Sequence, residues 1–172
     1  MYTLNCKGKL LVLDQPLVMG IINATLDSFF EGHLDKGVDG ILLLADQLIA
    51  EGADILDIGG QSTHPGSKRI SESEETERVL PVITAIHAKY PDIPISIDTY
   101  QSNIAKAAVE AGASIVNDIG AGRMDEAMIP TIAALNVPYI CMHSKGTPET
   151  MQENPQYEDV LREVLDFFIL KV

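Results

Sequence analysis

Five short apolar runs punctuate the chain: LVMGII (17–22), DILDI (54–58), PISID (94–98), SIVND (114–118) and VPYICM (137–142). Each is rich in Ile and Val and nearly continuous rather than alternating, which is the pattern of a strand covered on both faces. Between the runs the apolar positions switch to a helical period. In ILLLADQLIA (41–50), residues Ile41, Leu44, Ala45, Leu48 and Ile49 fall on one stripe, and Gly52 stands where a helix C-cap belongs. Ser71 and Glu74 have capping-box spacing ahead of a second helix whose apolar face includes Val79, Val82, Ile83 and Ile86, and Pro81 predicts a kink in it. IAKAAVEAG (104–112), MIPTIAALN (128–136) and EDVLREVLDFFILKV (158–172) complete the series.

Strand and helix thus alternate throughout, with no linker and no low-complexity tract. Such alternation demands crossover connections and a parallel sheet. Two α/β architectures satisfy it, a doubly wound sheet and a (β/α)8 barrel. No G-x-G-x-x-G opens the first crossover and no Walker A motif occurs. Instead every strand ends in polar residues: Asn23, the Gly59–His64 stretch, Asp98, Asn117 and Met142–Lys145. A barrel gathers its chemistry at that one end, each strand contributing a residue or two. The fold class expected is therefore α/β, a (β/α)8 TIM barrel. Only about five of the eight βα units are present, so the barrel is expected to be incomplete.

Composition narrows the partners. A formal charge of −13 argues against nucleic acid or an anionic membrane, both of which reward a basic surface. A small anion remains compatible, since it needs only a few backbone N–H groups or a local positive patch. Cys6 and Cys141 have no metal or redox spacing, and the N-terminal segment lacks the apolar core and cleavage site of a leader. No apolar run reaches membrane-spanning length. A cytoplasmic protein is expected.

The chemistry lies in the strand-end loops. NATLDSFFEGH (23–33) offers Asn23, Thr25, Asp27 and Ser28, although a single Asn or Asp after a strand is often only a turn residue or helix cap. In DILDIGGQSTHPGS the glycines let the backbone approach a ligand while Ser62 and Thr63 donate to oxygens, as in phosphate cradles. Asp98 closes a strand of isoleucines, where a carboxylate must find donors. It either accepts from a nitrogen-rich heterocycle or caps the next helix, a task open also to Thr99 or Ser102. Asn117, donor and acceptor at once, suits an amide-like ring edge. MHSKGTPETMQENP (142–155) brings His143 and Lys145. The four histidines show no metal-ligand spacing, so zinc is not expected.

Taken together, five ordered motifs resemble those of dihydropteroate synthases: MGIINATLDSF, DILDIGGQSTHPG, ISIDT, IVNDI and MHSKGTPETMQENPQY. The related pterin-binding methyltransferase barrels share the Asp and Asn positions but should lack the HPGS-type loop and the GTPETMQ stretch. The resemblance implies a single pterin-binding domain over 1–172, truncated at the C-terminus. It implies condensation of 6-hydroxymethyl-7,8-dihydropterin pyrophosphate with p-aminobenzoate to dihydropteroate and pyrophosphate. Asp98 and Asn117 would bond the pterin ring, with Ile119 and Met142 packed near it. Thr63 and His64 would meet the pyrophosphate, and Asn23 would help hold Mg2+. No residue is assigned as catalytic. Three features depart from the family pattern. His64 replaces the usual Arg, Leu26 the usual Pro, and Phe30-Glu31 the usual Ser-Asp. The family's C-terminal third, with its further Asp, Lys and Arg/His pair, has no counterpart here. The isolated chain is accordingly expected to be inactive alone, and to form a homodimer or bind a complementing fragment. The alternative is a non-catalytic pterin-binding remnant.

Overall fold

The computed structural model describes residues 1–24, 37–61, 69–147, 150–151 and 153–171. It opens with a hairpin of β1 (Tyr2–Cys6) and β2 (Lys9–Leu13), paired antiparallel with Leu4 opposite Leu11 and Cys6 opposite Lys9. Lys7 and Gly8 form its two-residue turn, both with positive φ, as a type I′ connection requires. The five strands that the apolar runs mark then follow. They are β3 (Met19–Asn23), β4 (Ile55–Gly59), β5 (Ile95–Asp98), β6 (Ile115–Asp118) and β7 (Tyr139–Cys141). All four pairings among them are parallel.

Their order in the sheet is their order in the chain. A doubly wound sheet reverses direction at a switch point, whereas a barrel winds one way. The unreversed order is that of five consecutive units of a (β/α)8 barrel. The intervening helices are α1 (Val38–Ala50), α2 (Glu72–Lys89), α3 (Ser102–Ala111) and α4 (Met128–Leu135), with α5 (Val160–Ile169) after β7.

Their ends obey local chemistry. The Ser71 hydroxyl accepts from the Glu74 N–H at 3.2 Å, as the capping box predicts. Gly112, at φ 127°, and Asn136, in the left-handed region, close α3 and α4. Pro81 lies inside α2, which runs through as one element. At the start of α3, Thr99, one of the two expected caps, is joined by a residue from another βα unit. Thr99 Oγ1 accepts from the Gln101 N–H, and Asp125, from the loop before α4, accepts from the Ser102 N–H at 2.7 Å.

Strand register separates two faces. Ile22, Ile58, Ile97 and Val116 form one row, wholly buried beneath α1–α4. The neighbouring rows point the other way, toward the barrel axis. At the lower end of that inner face, Ile55, Ile115 and Met19 pack against Leu4, Cys6 and Leu11 of the hairpin. The hairpin is therefore a plug over the N-terminal end of the sheet, leaving the C-terminal end to the site.

Candidate functional site at the C-terminal end of the sheet

One inner row carries the predicted chemistry: Asn23, Gly59, Asp98, Asn117 and Ile140 lie side by side across the five strands. The row beneath is Ile21, Asp57, Ser96 and Ile115. Two adjacent strands thus present Asp98 and Asn117 at one level, because each is the next inward position after an outward Ile97 or Val116. Asn23 is exposed at the end of β3. Ile119 and Met142 are half-buried just beyond β6 and β7, and the Met142 N–H donates to the Asp118 carbonyl.

Asp98 is the electrostatic centre of this end. No described residue donates a hydrogen bond to its carboxylate. Burial, reinforced by the carboxylates of Asp57, Glu75 and Asp118, raises its pKa from 3.8 to about 7. At neutral pH the group is thus poised between acceptor and donor. It is not the cap of α3, since Thr99 and Asp125 do that work.

Asn117 is held from below. Its Nδ2 donates to Asp57 Oδ2 at 3.0 Å, reaching from β6 to β4 over the intervening β5. Its carbonyl oxygen and second N–H have no partner among the described residues. Asp57 and Glu75 are 5% and 1% exposed, and each has one oxygen without a partner among the described residues, as does the Ser96 hydroxyl. Gln101 Nε2 donates to Glu75 Oε2 at 2.8 Å, and burial pushes the Glu75 pKa up.

Asp118, by contrast, is fully engaged. Its carboxylate accepts from the Gly120 and Gly122 N–H groups and from the Tyr139 hydroxyl, at 2.6, 2.8 and 2.6 Å. It shapes the loop after β6, and faces the helices rather than the inner row.

The two glycines at the end of β4 differ in their surroundings. A Cβ at Gly59 would touch Asp98 in ordinary contact, 3.5 Å from Oδ2, so this glycine lies beside the carboxylate without being demanded by it. A Cβ at Gly60 would come within 2.8 Å of Val79 and 2.9 Å of Glu75, so only glycine lets this loop press on α2. Arg78 holds the Gly60 carbonyl at 3.0 Å, and the Ile70 N–H donates to Gln61 Oε1 at 3.0 Å. The loop therefore leaves and returns through one pinned neck. Thr63 and His64 lie outside the described residues.

The fifth loop is tied to α5. Lys145 pairs with Glu163 and lies 4.0 Å from the Tyr157 ring centroid. His143 stacks edge-on with Phe167 at 4.8 Å. Arg123 donates to Ser144 and to the Gly120 carbonyl. Sequence reasoning singled out Asp98 and Asn117, which the fold brings together, but passed over Asp57. The available signal was a charge at an inward position of a strand otherwise apolar on both faces.

A family profile described as pterin binding enzyme matches residues 19–172. A dihydropteroate synthase from Streptococcus pyogenes is 46% identical over 160 residues, which is 93% of this chain and 57% of that one. A folic acid synthesis protein from Schizosaccharomyces pombe is 47% identical over 154 residues, covering 89% of this chain and 21% of its own length. Among solved structures, Xanthomonas albilineans dihydropteroate synthase with 4-aminobenzoic acid superposes with a TM-score of 0.86 at 40% identity. That match covers 98% of this chain and 59% of the other. The same enzyme in complex with 7,8-dihydropteroate gives a TM-score of 0.82. The chain thus spans less than two thirds of these relatives.

Proposed function

The chain belongs to the pterin-binding enzyme family, and on that footing we propose that it serves as a dihydropteroate synthase of folate biosynthesis. The reaction joins 6-hydroxymethyl-7,8-dihydropterin pyrophosphate to p-aminobenzoate. The bond between the pterin methylene carbon and the pyrophosphate oxygen breaks, and the aniline nitrogen takes its place. The nitrogen loses a proton, and dihydropteroate and pyrophosphate leave.

The observation that carries this reading is the pairing of Asp98 with Asn117 in one inner row, both with hydrogen-bonding capacity that no described residue uses. A pterin edge alternates N–H donors and ring acceptors, and an Asp–Asn pair offers complementary groups at one level. Ile119 and Met142 supply apolar contact beside the ring. Thr63 and His64 meet the pyrophosphate on the loop whose neck Gln61 and Arg78 hold. The chemistry needs no strong base, only charge stabilisation on the leaving group.

Asn23 fits Mg2+ as one carboxamide oxygen at an exposed strand end, because such ions keep waters and phosphate oxygens as their other ligands. When bound, the ion would offset charge on the departing pyrophosphate. Among the described residues there is no cluster of three or more His, Cys, Asp or Glu that could hold a metal unaided. No described helix is long and apolar enough to cross a membrane. A reducing cytoplasm suits the thiols Cys6 and Cys141, both free. The formal charge of −13 argues against nucleic acid or an anionic membrane as a partner.

A second reading concerns the chain by itself. Ile21 is inward-facing yet 65% exposed, and Ile140, on the other edge strand and one inner row higher, is 39% exposed. These side chains call for cover, either from a second copy or from a complementing chain that completes the barrel. On this reading the 172 residues bind pterin without turning it over. Calorimetry with the pterin pyrophosphate, alongside an assay for dihydropteroate, separates the readings. Binding with turnover supports a competent enzyme, binding without turnover supports the half-barrel, and no binding removes both.

A further inference from the structure

We infer that Asp57, buried below the strand-end row, is a positioning residue that locks the Asn117 amide in one orientation and so sets which ring edge the site accepts. The inference rests on the reading of Asp98 and Asn117 as ring-binding groups. A carboxylate can only accept, so the Asn117 atom 3.0 Å from Asp57 Oδ2 is the amide nitrogen. The amide is planar and cannot turn without setting its carbonyl against the carboxylate. Asn117 therefore keeps one N–H and its oxygen available in a fixed order, beside Asp98.

Three observations separate this from ordinary sheet bracing. The bond joins β4 and β6, which are not neighbours, and passes over β5 between the levels of Ser96 and Asp98. Backbone ladders already hold those strands, so the side-chain bond is not needed for pairing. The second Asp57 oxygen is buried and has no partner among the described residues, a cost that an apolar residue would avoid. A charge retained there earns its place by what it does to Asn117. Replacement by Asn removes the constraint, since an amide at position 57 can either accept from Asn117 or donate to it.

The test uses the whole chain and compares 6-hydroxymethylpterin with 6-hydroxymethyllumazine, whose ring edge carries oxygen where the pterin carries an amino group. The parent is expected to favour the pterin by roughly tenfold or more, and Asp57→Asn to bring that preference down to about two- or threefold. A purely structural role would weaken both ligands alike, and an unchanged preference overturns the inference. NMR of the Asn117 side-chain amide in the parent keeps the question open to decision should the variant not fold. One Asn117 amide proton shifted downfield and slow to exchange supports the lock, and both protons at ordinary Asn shifts and exchanging fast overturn it. If the parent binds neither ligand, the ring-binding reading falls, while the amide signal still decides the Asp57–Asn117 bond.

Discussion

Asp98 makes the sharpest demand on solution behaviour. Its folded-state pKa, about 7, lies above the ordinary carboxylate value of 3.8, so between those limits the native state holds a proton that the unfolded chain releases. Stability contributed by this group is therefore present below pH 4 and lost as pH rises through 7. The full swing is on the order of 4 kcal/mol. Asp98→Asn, neutral at every pH, should match the parent's stability near pH 4 and exceed it at pH 8, as urea unfolding at the two values will reveal. The same substitution should cost pterin binding tenfold or more. On the next loop, His64→Arg should tighten binding of the pyrophosphate-bearing pterin by about tenfold, because arginine is always charged and grips phosphate with two bonds. Equal affinities for the two would count against His64 as a phosphate contact. Asp98 and Asn117 were legible in the sequence because each is the polar end of an Ile/Val run, where solvent and partners are scarce. Asp57 was not, since in DILDI it reads as one polar letter among several until the register shows which face it takes.

Helix ends were equally legible, because capping is local chemistry. Ser71→Ala should destabilise the protein by about 1 kcal/mol through loss of the Glu74 N–H partner. At Gly112 the backbone is left-handed and a Cβ would lie 2.5 Å from His87 Cγ. Gly112→Ala should thus cost more than the about 1–2 kcal/mol of the left-handed backbone, since His87 Cβ, at 2.7 Å, cannot be moved by side-chain rotation alone. Thermal unfolding of both variants checks these values. The hairpin escaped the pattern reading. Its alternation is short, its turn is Lys7-Gly8 rather than Asn-Gly, and its apolar face is recognisable only once Ile55 and Ile115 are seen above it. The Asp125 cap on α3 is similarly invisible from sequence, because it comes from a different βα unit.

For the molecule as a whole, alternation and strand-end polarity led to the barrel, and the unreversed sheet order agrees. What no local pattern reveals is how the inner face is covered. Ile21 is open on that face, and α5 buries no residue while exposing Leu161 and Leu165, with Leu170 exposed just beyond it. Leu161 and Leu165, one turn apart on α5, make an exposed apolar face that seeks a partner. Sedimentation of the pure chain should show association that strengthens with concentration and weakens when Leu161 and Leu165 are changed to Glu. A sharp monomer at all concentrations would argue that these side chains need no cover. The site itself is tested most directly by calorimetric titration with 6-hydroxymethyl-7,8-dihydropterin pyrophosphate and Mg2+, run on the parent and on Asp98→Asn. Binding by the parent that Asp98→Asn weakens tenfold or more would place the pterin on the Asp98–Asn117 row. Equal binding by the two proteins, or none by a folded parent, would contradict that placement.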